Sequence, residues 1–129
     1  MRLLVVGMIV LFSFMTSAQA RHHHRHHSAR YGADSARPAR WCGWYMRQQV
    51  GHDPGPAFNV ARMWAHYGSN AGGPYPGTIV VWPHHVGIIT GFAQGQQRWV
   101  VRSGNDGHAV RERPHSLRGA IAFRTFGFN

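Results

Sequence analysis

The sequence predicts an α+β fold: two helices at the N-terminal side packed on a curved antiparallel sheet of about five strands. Three observations carry this. Positions 38–50 have helix punctuation, with Pro38 suited to a first turn and Gly51 to a stop, and Cys42, Tyr45, Met46 and Val50 fall on one helical face. Positions 57–67 repeat the pattern, with Val60, Met63, Trp64 and Tyr67 at helical spacing. From Gly68 onward the texture changes to short β-branched runs between Gly/Pro turns, with no helical period among them. Helices first and closely spaced strands afterwards are the pattern of an α+β domain rather than of alternating βαβ units.

The 129 residues suffice for one small domain. Residues 1–20 read as a signal peptide. Arg2 precedes an apolar run at 3–15 that is short for a bilayer span, and Ala18-Gln19-Ala20 fits signal-peptidase cleavage. The mature protein is therefore expected to be secreted or periplasmic. Residues 21–37 include His22-His23-His24-Arg25-His26-His27 and almost no apolar side chain, so they read as a disordered His/Arg-rich arm. Such an arm can bind zinc, copper or nickel incidentally, but a solvated basic segment is the simpler reading. The folded domain is then 38–129.

The formal net charge is +10 with histidines neutral, and all 14 basic residues are arginine. This sign gives affinity for polyanions or carboxylate-rich material. Nucleic acid is the usual partner of such a balance. For an exported chain the bacterial envelope, with acidic stem peptides and anionic polymers, fits better, and no nucleic-acid partner is expected.

Taken in order, the expected helix over 38–50 is followed by the breaker cluster 51–56 and the second helix over 57–67, whose apolar stripe suits core packing. The loop 72–77 leads into strands at 78–82 and 85–90, separated by Pro83-His84. Further strands are expected at 98–102, 108–112 and 119–124, with turns at 91–97 and 104–107.

Cys42 is the sole cysteine, so it has no internal disulfide partner and is either a small buried apolar group or a nucleophile. In an exported protein an unused thiol is exposed to oxidation, which favours use. The start of a helix favours a thiolate, and an imidazolium partner lowers a thiol pKa further. A cysteine nucleophile needs a base, and the base needs a partner on its other ring nitrogen. His85, at the start of a buried-looking strand, and Asn105, just past the next one, fit those two roles. His84 competes for the first, with His52 and His108 as weaker candidates.

The sequences Trp41-Cys42-Gly43-Trp44-Tyr45, Pro76-Gly77-Thr78-Ile79-Val80-Val81-Trp82 and His85-Val86-Gly87-Ile88-Ile89-Thr90-Gly91 together resemble the CHAP family of cysteine, histidine-dependent amidohydrolases/peptidases, and the related NlpC-type cell-wall peptidases. The resemblance covers about 38–124. It implies a papain-like core in which the cysteine helix packs on the sheet that bears the histidine. It also implies Cys42 as nucleophile, His85 as general base and Asn105 as the residue orienting His85. Three positions depart from the family pattern. Thr78 stands where an acid often follows the Pro-Gly, Ser103 where some relatives carry a glutamate, and Trp41 where some carry a glutamine. The oxyanion donor beyond the Cys42 amide is therefore not identified by the resemblance.

What the resemblance implies is acyl transfer through a thioester, without metal or organic cofactor, on an amide of peptidoglycan or its stem peptides. A monomer is expected. Trp41, Trp44, Trp82 and Trp99 are candidates for lining a cleft, although packing accounts for most such residues. Arg40 and Arg102 are candidates for holding substrate carboxylates. Two other classes compete: a wall-binding module that keeps the fold without turnover, and a basic His-rich metal- or polyanion-binding protein in which Cys42 is core.

Overall fold

The computed structural model describes residues 36–126. The expected signal peptide (1–20) and the arm as far as residue 35 lie outside the described residues. Arg37, assigned above to the arm, holds its guanidinium 5.0 Å from the centre of the Trp41 ring.

The architecture is an open six-stranded antiparallel sheet with a few short helices, α+β as expected in general. The strands are β1 (Ser69–Asn70), β2 (Ile79–Val81), β3 (Val86–Ala93), β4 (Arg98–Asp106), β5 (Ala109–His115) and β6 (Ala122–Thr125). Their order is β1-β6-β2-β3-β4-β5, so β2 to β5 form a meander and β6 returns to pair with β2. The sheet exceeds the expected five strands by β1, two residues that Gly- and Asn-rich sequence gave no reason to read as extended.

The helical part is shorter than expected. Among the described residues only α1 (Cys42–Arg47) is α-helical. Residues 38–41 offer no side-chain cap and no acid in the first turn, so nothing satisfies the free amides of an earlier start. At the other end Gln49 and Val50 both donate to the Met46 carbonyl, which closes the helix before Gly51. The second expected helix (57–67) is two 3-10 segments, Pro56–Asn59 and Ala61–His66, broken at Val60 in extended conformation. The aromatic stripe does pack as expected, and that packing explains the break. Fully buried Trp64 donates its indole N–H to the Phe58 carbonyl at 2.7 Å and packs against Phe58 and Tyr67. That carbonyl is therefore turned to a side chain instead of to an i+4 amide.

Both sheet faces are covered. On one, Cys42, Met46 and Val50 of the helical region meet Trp64, Ile79, Val81, Val86 and Ile88. On the other, Val80, Ile89 and Val101 are covered by Trp82, Trp99, Leu117, Ala120 and Phe123. Two glycines set how closely the helical layer approaches. A Cβ on Gly43 would collide with the Phe58 and Asn59 carbonyls, and one on Gly104 with Tyr45 and Trp41. The Cys-Gly pair thus places the thiol beside the 3-10 segments, and Gly104 lets α1 lie directly on β4.

Candidate active site

Cys42 is the first residue of α1 and is 3% exposed. Its thiol lies 3.9 Å from the His84 carbonyl, a long contact in which a protonated sulfur donates. Burial pushes the Cys42 pKa up, against the smaller lowering influences of the Gly43, Val86 and Cys42 amides and the Arg40 charge. The expected helix-start thiolate is thus corrected: a six-residue helix contributes little, and desolvation dominates.

His85 sits immediately before β3. Burial lowers its pKa, and so, more weakly, do the His115 and Arg113 charges, while Asp106 opposes them. The same burial acts on both partners in the sense that favours neutral thiol and neutral imidazole. Cys42, His85 and Asn105 do line one cleft of about 330 Å³, together with Arg40 and His84. The structure therefore brings all three expected residues to one place.

The partner of the His85 ring is a different residue from the expected one. Nε2 lies 2.9 Å from Ser103 Oγ, and Ser103 is fully buried. With Nε2 engaged, Nδ1 is the nitrogen left for the thiol, and the imidazole is basic there when Nε2–H donates to the hydroxyl. Asn105 makes no hydrogen bond to the ring. It adopts a left-handed φ of 55° within a β-bulge, where β4 spends one residue more than β5 between the Ser103–Arg111 and Asp106–Ala109 pairs. Bulges re-aim side chains, and here the bulge brings Asn105 to the cleft.

Behind His85 lies a group that sequence reasoning missed. The His115 ring stacks on it with centroids 6.2 Å apart and planes inclined by 23°, and Trp82 contacts both rings. His115 Nε2 is 3.2 Å from Asp106 Oδ2, and Arg113 binds both oxygens of the same carboxylate. His115 falls beyond the strand expected at 108–112. Only the longer pairing of β4 with β5, which sets it opposite Trp99, brings it back to the site.

On the cysteine side the missed feature is Arg47. Its guanidinium binds both Asp53 oxygens at 2.7 Å and Asn59 Oδ1 at 2.8 Å. This ties the loop after α1 to the segment that walls a second cleft. That cleft, about 260 Å³, is lined by Pro38, Arg40, Cys42, Asn59, Val60, Ala61, Pro83 and His84. Arg40, Cys42 and His84 belong to both clefts, so the thiol lies where they meet.

The other candidates separate. His84 is exposed, and only its carbonyl contacts the thiol. His52 and His108 line neither cleft. Thr78, at the place of a family acid, is fully buried and uses its hydroxyl to close the 75–78 turn through both polar groups of the Tyr75 backbone. Trp41 packs edge-on against Tyr45. Among the described residues no cluster of three or more His, Cys, Asp or Glu is arranged to hold a metal ion. Compared with protein-family models, curated proteins and solved structures, the chain matches none.

Proposed function

We propose that the protein is an exported cysteine amidase or endopeptidase that cleaves amide bonds of bacterial peptidoglycan, with the papain-like arrangement of the CHAP family that its motifs resemble. The observation that carries this reading is the cleft shared by Cys42 and His85, in which the outer nitrogen of the imidazole is occupied by Ser103.

The chemistry starts from neutral partners. His85 takes the thiol proton as Sγ of Cys42 adds to the amide carbonyl, and backbone amides at the start of α1 meet the developing oxyanion. Protonated His85 then gives its proton to the departing amine as the C–N bond breaks, leaving a thioester on Cys42. A water, deprotonated by His85, hydrolyses it. Ser103 holds the ring through both half-reactions. The burial-raised thiol also favours a second reading, a wall-binding module in which Cys42 is inert.

Digestion of purified peptidoglycan with the mature protein, followed by mass analysis of the soluble products, separates the two. New amino and carboxyl termini that vanish with Cys42→Ala support the hydrolase. Wall binding without new termini, equal in wild type and Cys42→Ala, supports the module.

A further inference from the structure

Arg40 is in an unusual position for an arginine of this protein. It lines both clefts at their junction with Cys42, and among the described residues its side chain has no hydrogen-bond or ion-pair partner. Among the described residues its charge also has no carboxylate left to compensate it. The described carboxylates are all engaged elsewhere: Asp53 by Arg47, Asp106 by Arg113 and His115, and Glu112 by Arg102 at 3.8 Å. Neither cleft has an acidic residue in its walls. Arg102, the other arginine singled out from sequence, is committed to Glu112 and Tyr45 and lines neither cleft.

We propose that Arg40 is the carboxylate receptor of this site, so that the substrate presents a free carboxylate close to the amide that Cys42 attacks. The assignment rests on the hydrolase reading for the identity of the scissile bond, but not for the anion site itself. A guanidinium offers a planar pair of donors matched to a carboxylate, and Arg40, exposed at the mouth of both clefts, is open to an incoming substrate. The second cleft adds a size limit. Its aliphatic lining of Pro38, Val60, Ala61 and Pro83 suits a side chain no larger than a few carbons.

The test uses Cys42→Ala protein, which cannot turn substrate over, and titrates it with N-acetyl-alanyl-alanine and with the corresponding C-terminal amide. Both the L,L and the L,D diastereomers are measured, by heteronuclear NMR shifts. The free acid is expected to bind at least about fivefold more tightly than the amide. Adding Arg40→Gln should erase that preference, whereas adding Arg98→Gln, a change at an exposed arginine outside both clefts, should leave it. Equal binding of acid and amide, a preference that survives Arg40→Gln, one lost equally with Arg98→Gln, or no binding of either ligand at millimolar concentration would each overturn the assignment. Activity on whole peptidoglycan is scored separately with wild type. Failure there with an intact acid preference removes the hydrolase reading and keeps Arg40 as an anion receptor.

Discussion

The two flanks of the cleft are each anchored by an arginine–carboxylate pair, but with opposite burial. On the cysteine flank the cation is the buried member: the Arg47 side chain is 7% exposed and Asp53 25%. On the histidine flank the anion is buried: Asp106 is 8% exposed and Arg113 50%. A buried charge stripped of its partner costs far more than a surface charge stripped of its own. The pairs therefore differ in which member is indispensable. On the cysteine flank that member is the acid, and on the histidine flank it is the cation. Asp53 neutralises a guanidinium that has little access to water, whereas Asp106 is itself the buried group and needs its donors.

The largest effect is expected from Asp53→Ala. It leaves the Arg47 guanidinium with reduced compensation and should lower folding stability by about 3 kcal/mol, read as a drop in urea midpoint at unchanged m-value. The loop to Asn59 should loosen as well, so amide exchange across 52–60 should accelerate beyond the global change. If the midpoint barely moves, the cysteine flank is not held by this pair and the comparison fails on that side.

Asp106→Asn comes next. It keeps the shape but removes the charge-assisted bonds to Arg113 and His115, for an expected loss of about 2 kcal/mol. The contrast is sharpened by Arg113→Gln, which strips the buried carboxylate of its bidentate donor and should cost more than Asp106→Asn, a change that leaves only a solvated cation unpaired. A smaller loss from Arg113→Gln than from Asp106→Asn would invert the assignment of the buried member.

A third change acts on the proposed chemistry more than on stability. Ser103→Ala removes the hydrogen bond to Nε2 of the His85 ring, and roughly tenfold of kcat/KM should go with it. Asn105→Ala should cost less, because Asn105 lines the cleft without a hydrogen bond to the ring. The reverse order would restore Asn105 as the orienting residue.

These residues also show what the sequence could and could not disclose. The sheet was readable because β-branched runs and Gly/Pro punctuation are local signals, and β2 to β5 lie within a few residues of their expected places. The helices were overextended because their apolar spacing is equally well satisfied by 3-10 turns once Trp64 captures the Phe58 carbonyl, a tertiary event. Cys42, His85 and Asn105 were found by role and motif, and they do meet in one cleft. Ser103 stood out only as a departure from a family glutamate, because a serine carries no sign of an imidazole opposite it. Asp106 and His115 escaped notice for a related reason: nine residues apart, they meet only through a bulged register. Arg47 is buried on α1, and nothing local in the sequence sets it apart from the other arginines.

The smallest expected effect belongs to His85 itself and separates the flanks by pH. Asp53 and Asp106 are both held below the ordinary carboxylate range, first of all by their hydrogen bonds to Arg47 and Arg113. Their contribution is present above an unfolded pKa of about 4 and fades as pH falls below it. His85 is lowered by burial, so the folded state resists its protonation. Stability should decline as pH falls from about 6.5 toward the folded pKa, above the range in which the carboxylates act. The decline is limited because Asp106 opposes burial and the His115 charge. Urea midpoints should therefore fall more steeply below about pH 6.5 for wild type than for His85→Gln. Parallel curves throughout would mean that His85 is as easily protonated folded as unfolded. The neutral pair from which the proposed acyl transfer starts would then rest on the burial of the Cys42 thiol alone.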